Sequence, residues 1–391
     1  MPVNQWLKTV VLPIVVILGV MLFYSALFTL RTGAPILPSF LALRAFAFFM
    51  IGPLVYLMYR SGIPARELAN VFIAAASFAV LIYIIAYLAL PLEAYRFSRD
   101  PRLAGLVAAD DWRGVRLKGP MYLFIFLFSY YGHKLFTRGN VVSVPTSLLW
   151  LPLLVVIFAI NMSRAAMVNM AIGFVVYYMF VGGSRRLQFS VLSSPIVIIA
   201  AAIVLPVLVD MILFSHRADW SLITRLESIR IALTVFEKYP IVGIGQASNF
   251  SISYHDLFGD RFFASDIGMF GILLRFGLAG VVLYLAFGAW LFLRLLSIHL
   301  SPAVAKRDPM VWTLVLTLTI MLIASVTITA VLISTEGIPI SAFAFGMILI
   351  YRYPRHADLG HVETSSIGPA VDSYRPLPPA YQRNIQPGEG H

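Results

Sequence analysis

The sequence predicts an all-α fold: a polytopic transmembrane helix bundle of about ten spans, with a large outer loop containing an amphipathic helix. Three observations predict it. Of 391 residues, 60% are hydrophobic and only 12% charged, where ordinary soluble domains are about a quarter charged. With a mean hydropathy of +0.87, a soluble globule is excluded. The apolar residues fall in runs of roughly 20, the length at which a helix rising ~1.5 Å per residue crosses a hydrocarbon core about 30 Å thick. Lys and Arg, finally, are shared unequally among the short loops, which gives the bundle an orientation.

The spans lie at roughly 10–30, 37–59, 68–90, 120–136, 145–162, 165–181, 190–214, 269–293, 310–333 and 337–351. The first is longer than a signal-peptide core and has no small-residue cleavage site behind it, so it is expected to be retained. Little more than Ser163 and Arg164 separates the fifth from the sixth, which leaves that pair open to a tilted or re-entrant arrangement. With the N-terminus inside, the short inward loops collect Arg60, Arg66, Lys134, Arg138, Arg185, Arg186, Arg294, Lys306 and Arg307, whereas the short outward loops hold Arg31 and Arg164. That bias is the one that orients membrane proteins. An even span count then places both termini in the cytoplasm. The bundle accounts for residues 1–353. Residues 354–391, rich in proline and without an apolar period, read as a disordered cytoplasmic tail. Two long segments fall outside, 93–119 and about 215–266.

Cysteine is absent, which excludes disulfides, thiolate metal sites and cysteine nucleophiles. The formal charge of +11 is a topology signal here and not the footprint of a nucleic-acid partner. No metal-ligand spacing occurs in the outer segments, so chemistry without metal or cofactor is expected.

In the larger outer segment, Leu222, Leu226, Ile229, Leu233 and Phe236 form one stripe on a helix over Ser221 to Tyr239, ended by Pro240 and capped by Asp219 or Ser221. Arg225 and Arg230 flank the stripe on opposite edges. Two readings fit. They anchor an interfacial helix to headgroups, with a Glu227–Arg230 pair one turn apart, or their planar forks hold a lipid-linked diphosphate. Arg164 lies between two apolar runs, a depth at which a charge is functional unless it snorkels to the interface. Arg44 poses the same question near the outer end of span two. Arg275, about two and a half turns after Asp266, is placed to face the same outer cavity. Gly243-Ile-Gly245 lies outside any strand–turn–helix unit, so nucleotide binding is rejected; its glycines suit a sharp turn or a close backbone approach. His255 and Asp266 belong to the densest ionisable group of the loop. Each is a candidate base, against a solvated histidine and a carboxylate that only complements a helix dipole.

Three features together resemble the O-antigen ligase and polysaccharide polymerase superfamily. They are Ser163-Arg164-Ala165 at the end of a span, the outer loop with Arg225, Arg230, Pro240 and the Gly243-x-Gly245 turn ending in Asn249-Phe250, and Ser265-Asp266-Ile267-Gly268 leading into Leu273-Leu-Arg-Phe-Gly277-Leu-Ala-Gly280. The resemblance covers roughly Leu148 to Leu296. It implies a bacterial inner-membrane glycosyltransferase that takes an undecaprenyl-diphosphate-linked oligosaccharide on the periplasmic face and transfers it to an acceptor glycan. Arg164, Arg225 and Arg230, with Arg275 beside them, would then hold the diphosphate, and Asp266 or His255 would serve as base. Membrane lipids and polysaccharide export or chain-length-control proteins are the further partners implied. Members that act as ligases carry a His at the head of the helix after the loop, where this chain has Ser265-Asp266; that departure shifts weight from a lipid A core ligase to a polymerase of O-antigen or exopolysaccharide. A transporter or flippase of lipid-linked sugars would share the composition, but no pair of broken helices in matching halves is visible. A structural partner of an export complex is the third reading, and the ionisable cluster in one outer loop argues against it.

Reporter fusions test the topology. Fusions at Arg186 and Lys306 are expected to read cytoplasmic and one at Ser251 periplasmic; a cytoplasmic signal at Ser251 would place the loop on the side of the nucleotide sugars and end the argument.

Overall fold

Apolar runs become helices throughout the computed structural model, which describes residues 11–92, 107–110, 114–117, 119–136, 143–161, 172, 173, 175, 220–248, 251–259, 262–265, 267–300, 309–327 and 331–354. Helix α1 (Leu12–Thr32) carries Pro13 in its first turn, where a missing N–H breaks no bond, and ends at Gly33, whose left-handed backbone (φ 74°) returns its N–H to the Thr29 carbonyl. The second expected span is broken. It consists of α2 (Ile36–Ala42), a 3-10 turn (Arg44–Met50) and α3 (Ile51–Arg60), bent by 46° at the junction. Arg44 Nη1 donates to the Leu41 carbonyl at 3.1 Å, so this arginine caps the end of α2.

After α4 (Ala65–Ala89) comes an antiparallel hairpin, β1 (Val107–Asp110) with β2 (Gly114–Leu117), in a register that sets Val107 opposite Leu117. The smaller outer segment, expected only as a loop, thus carries two short strands in an otherwise helical set of elements. The Tyr83 hydroxyl ties the hairpin to α4 by donating to the Leu117 carbonyl at 3.1 Å. Helices α5 (Met121–Phe136), α6 (Ser143–Asn161), α7 (Trp220–Lys238), α8 (Tyr254–Phe258), α9 (Met269–Leu300), α10 (Pro309–Thr327) and α11 (Gly337–Arg352) follow, with a 3-10 turn at Val331–Ile333.

Among the described residues, three helices, α1, α4 and α9, are long and apolar enough to cross a membrane, and the bent α2–α3 pair makes a fourth if it is one span. Helices α10 and α11 are apolar but shorter. The spans expected at 165–181 and 190–214 lie outside the described residues, apart from 172, 173 and 175. The core runs through α10 and α11, where Leu314, Leu318, Met321, Ile340 and Met347 are fully buried. By contrast, Leu30 and Leu88 are 84% and 78% exposed at the ends of α1 and α4. Apolar surface of this kind is what a lipid-facing side requires. The chain divides into Met1–Ile350, to which all of these contacts belong, and Tyr351–His391.

One break organises the end of the bundle that carries α7. At Gly277 (φ 64°, ψ −164°) the helical bonding of α9 is interrupted. The freed carbonyls of Leu274 and Arg275 accept from Ile244 and Gly245 N–H at 2.8 and 2.9 Å, while Leu278 and Ala279 N–H donate to Pro240 and Ile241 carbonyls at 2.9 and 3.0 Å. The segment after α7 thus replaces the missing turn of α9. Two backbones come this close because neither has a Cβ at the crossing: one on Gly243 (φ 61°) would lie 2.6 Å from the Arg275 carbonyl carbon and the Gly277 nitrogen, and one on Gly277 would strike the Ile241 carbonyl.

Gly243→Ala and Gly277→Ala are each expected to cost at least about 2 kcal/mol from the left-handed backbone and the overlap together, read as a lowered Tm in detergent. Gly19→Ala is the control: nothing lies within 4 Å of its added methyl, and it should leave Tm unchanged or raise it.

Candidate functional site

Helix α7 is held against the protein by a face of small residues. Ser228, Ala232 and Val235 are buried, and Ser228 Oγ accepts the Phe263 N–H at 3.2 Å. Of the expected stripe, Leu226 and Leu233 are left uncovered, 59% and 42% exposed, while Ile229 packs against the core. Ala232 and Val235 share a core with Phe28 at the end of α1, Ile244, Tyr254, Phe262 and Leu274, so residues after α7 fold as a cap on α1 and α9. Asp219, one of the two expected caps, lies outside the described residues, as do Asn249 and Phe250.

Helix α8 is short and opened by a capping box, in which Ser253 N–H donates to Asp256 Oδ2 at 2.7 Å and Asp256 N–H to Ser253 Oγ at 3.2 Å. These bonds from Ser253 hold the Asp256 carboxyl below its usual range. Tyr254 points inward, its hydroxyl donating to the Gly245 carbonyl, and burial pushes its phenol up to about 12. The Arg275 guanidinium stands 5.7 Å from the centre of that ring.

Two cavities meet beside Arg275. The larger, about 360 Å³, is walled by α1, the 3-10 turn after α2, and α9; Val16, Tyr24, Phe49, Leu283 and Phe287 are among its nearly all-carbon lining. Val16 and Leu283 are 53% and 64% exposed, so it is a groove open at the side of the bundle. Phe46, Ile272, Phe276 and Ile333 are common to this groove and to a polar pocket of about 200 Å³ lined also by Gln246, Ser265, Arg275, Ser334 and Thr335. Among the described residues, Arg275 Nε is buried with no hydrogen-bond partner. A guanidinium with an unpartnered Nε, in a polar pocket that shares a wall with an apolar groove, suits a ligand with an anionic head and an apolar tail. Among the described residues, no three His, Asp or Glu side chains gather as a metal-binding group.

Residues 148–285 match the family model described as O-Antigen ligase. The match bears out the resemblance read from the motifs, and its limits take in α7, the Gly243–Gly277 crossing, Ser265 and Arg275. The walls contributed by α1, by Phe46 and by Ser334 and Thr335 lie outside the matched residues. No curated protein matches the chain.

Within that region the candidate residues separate. Arg275 lines the polar pocket and Ser265 brings the chain there immediately before Asp266, itself outside the described residues together with Arg164. Arg225 and Arg230 point about 140° apart around α7. Arg225 is half-buried, whereas Arg230 is exposed and lines a separate groove with Glu227, Thr234, Lys238 and Phe258. The described residues hold no ion pair between Glu227 and Arg230. His255 packs edge-on against Phe263 at 5.0 Å, with Nδ1 buried and unpartnered among the described residues.

Sequence reasoning missed Gln246, Ser334, Thr335 and Glu336. The visible signal was the polar run Ser334-Thr335-Glu336 between two apolar stretches. Ser334 Oγ donates to the Val331 carbonyl at 2.7 Å and accepts Gly337 N–H at 3.0 Å, closing the turn that rims the pocket. Glu336, in that turn and outside both flanking helices, accepts the Tyr122 N–H at 3.2 Å at the start of α5. Burial pushes its carboxyl from 4.5 up to about 7, opposed by backbone hydrogen bonds from Tyr122 and Met121. A carboxyl raised on folding binds more protons in the folded state, so its contribution is complete below the unfolded value and lost as pH rises through about 7. Melting temperatures measured across that window should fall with rising pH in the wild type. In Glu336→Gln the fall should flatten; an unchanged slope would remove Glu336 as its cause.

Proposed function

We propose that this protein is a membrane glycosyltransferase that polymerises undecaprenyl-diphosphate-linked oligosaccharide repeat units into O-antigen or exopolysaccharide on the periplasmic face of the inner membrane. The observation that carries the reading is the apolar groove lying back to back with the Arg275 pocket across the wall of Phe46, Ile272, Phe276 and Ile333. An isoprenoid tail suits the groove, and a diphosphate suits the guanidinium in the neighbouring pocket. Gln246, Ser334 and Thr335 add neutral hydrogen-bonding groups for phosphate or sugar oxygens.

In the proposed reaction an acceptor hydroxyl oxygen attacks the anomeric carbon of the donor. The bond from that carbon to the phosphate oxygen breaks, undecaprenyl diphosphate leaves with the bonding pair, and the hydroxyl proton passes to a base, for which we propose Asp266 with His255 as the second candidate. Arg275, joined in this proposal by Arg164 and Arg225, neutralises the charge that grows on the leaving diphosphate. The ten-span bundle over 1–353, with its periplasmic loop near 215–266 and a cytoplasmic tail over 354–391, is the topology this reaction uses. A second reading, transfer of the glycan to lipid A core, is favoured by the description of the matched family; Ser265-Asp266 in place of the ligase histidine weighs for polymerisation.

Purified in lipid and given only the lipid-diphosphate repeat unit, with neither nucleotide nor ion gradient, the protein should lengthen glycan chains and release undecaprenyl diphosphate. Movement of intact precursor across the bilayer without a new glycosidic bond would overturn this in favour of a transporter. Arg275→Lys, which keeps the charge and loses the fork, should slow the reaction roughly 30- to 1,000-fold at normal expression; wild-type rates in that variant would remove the diphosphate role.

A further inference from the structure

We propose that the groove between α7 and α8, lined by Glu227, Arg230, Thr234, Lys238 and Phe258, binds the glycan chain itself as an elongated, hydroxyl-bearing ligand. This rests on the glycosyltransferase reading and gives its acceptor a second place to be held, apart from the Arg275 pocket. The two cavities have no lining residue in common.

At 100° per residue, α7 has three faces, each about a third of a turn from the next. Ser228 and Ala232 face the protein, Val235 lies where that face meets the groove, and Leu226 and Leu233 stand uncovered. The remaining third carries Glu227, Arg230, Thr234 and Lys238 as a ladder along the helix, about 16 Å from end to end at ~1.5 Å per residue. Phe258, from the short helix α8, walls the ladder to leave a groove of about 340 Å³. Length, a polar ladder and an aromatic wall are the elements of a carbohydrate site: sugar hydroxyls pair with carboxylate, guanidinium, ammonium and hydroxyl groups in turn, while the C–H face of a ring packs on the negative face of an aromatic.

A basic shoulder that anchors the helix to lipid headgroups is the competing account of Arg230 and Lys238. Two features favour the glycan. The ladder includes the carboxylate of Glu227, which anionic headgroups would repel, and it is centred more than a right angle away from the apolar stripe, so a membrane that receives Leu226 and Leu233 lies to one side of it.

The test measures binding without donor, so it reads the groove even if the wild type forms no glycosidic bond. Fluorescently labelled oligosaccharides, cut from the surface polysaccharide of cells that express the chain, are titrated against the full-length protein in nanodiscs. Thr234→Trp fills the groove from an exposed position, and it should weaken binding roughly tenfold or more. Lys238→Ala, also exposed, should weaken it in the same direction and carries the test if the tryptophan variant does not fold. Gly19→Ala, whose added methyl meets nothing within 4 Å, should leave oligosaccharide affinity unchanged. Where the wild type polymerises, the groove variants should also give shorter chains. Equal affinity in wild type and both groove variants would overturn the proposal, as would a loss confined to binding of phosphatidylglycerol vesicles, which would make the ladder a membrane anchor.

Discussion

Four backbone hydrogen bonds at the break in α9 fix the segment after α7 against the side of the polar pocket that carries Arg275. A helix interrupted inside an apolar bundle leaves N–H and C=O groups without partners, and each such group costs roughly 1–3 kcal/mol if nothing answers it. Here the strand-like segment after α7 answers all four. That requirement fixes where the cap sits: Pro240 to Gly245 must lie along Leu274 to Ala279, and Tyr254 must reach back to the Gly245 carbonyl. Arg275 is caught in the middle of the exchange. Its carbonyl is bound by Gly245, its guanidinium is turned toward the pocket beside Tyr254, and the next residue, Phe276, separates polar pocket from apolar groove.

The sequence was most legible where the physics is local. Apolar runs forecast the helices, and the period through Leu222, Leu226 and Ile229 located α7 to within a residue of Trp220–Lys238. Gly243 and Gly245 were readable as a place of close approach, though nothing local says that the approaching object is the protein's own backbone. The packed face of α7 was missed because Ser228 and Ala232 carry little hydropathy; they are there for their size. The break after Ala42 lies inside a continuous apolar run, and the strands of the hairpin at Val107–Leu117 are too short for their alternation to stand out.

The pocket rim was illegible for the same reason. Gln246, Ser265 and Ser334 are unremarkable in their own neighbourhoods and become a set only when α9 and the turn before α11 meet. Arg275 could be proposed alone, since a cation in an apolar run always asks for a partner. Its separation from Arg230 could not, because it depends on which third of α7 the protein covers.

The sideways opening of the apolar groove changes what concentration means for this protein. Under the proposed reading, a lipid-linked donor that enters past Val16 and Leu283, on two helices apolar enough to cross a membrane, arrives from within the bilayer, by diffusion in two dimensions, and never crosses bulk water. Occupancy is then set by the mole fraction of that ligand among the surrounding lipids, not by its amount per volume of solution. Diluting the membrane with inert lipid starves the groove, while diluting the suspension with buffer leaves it as full as before.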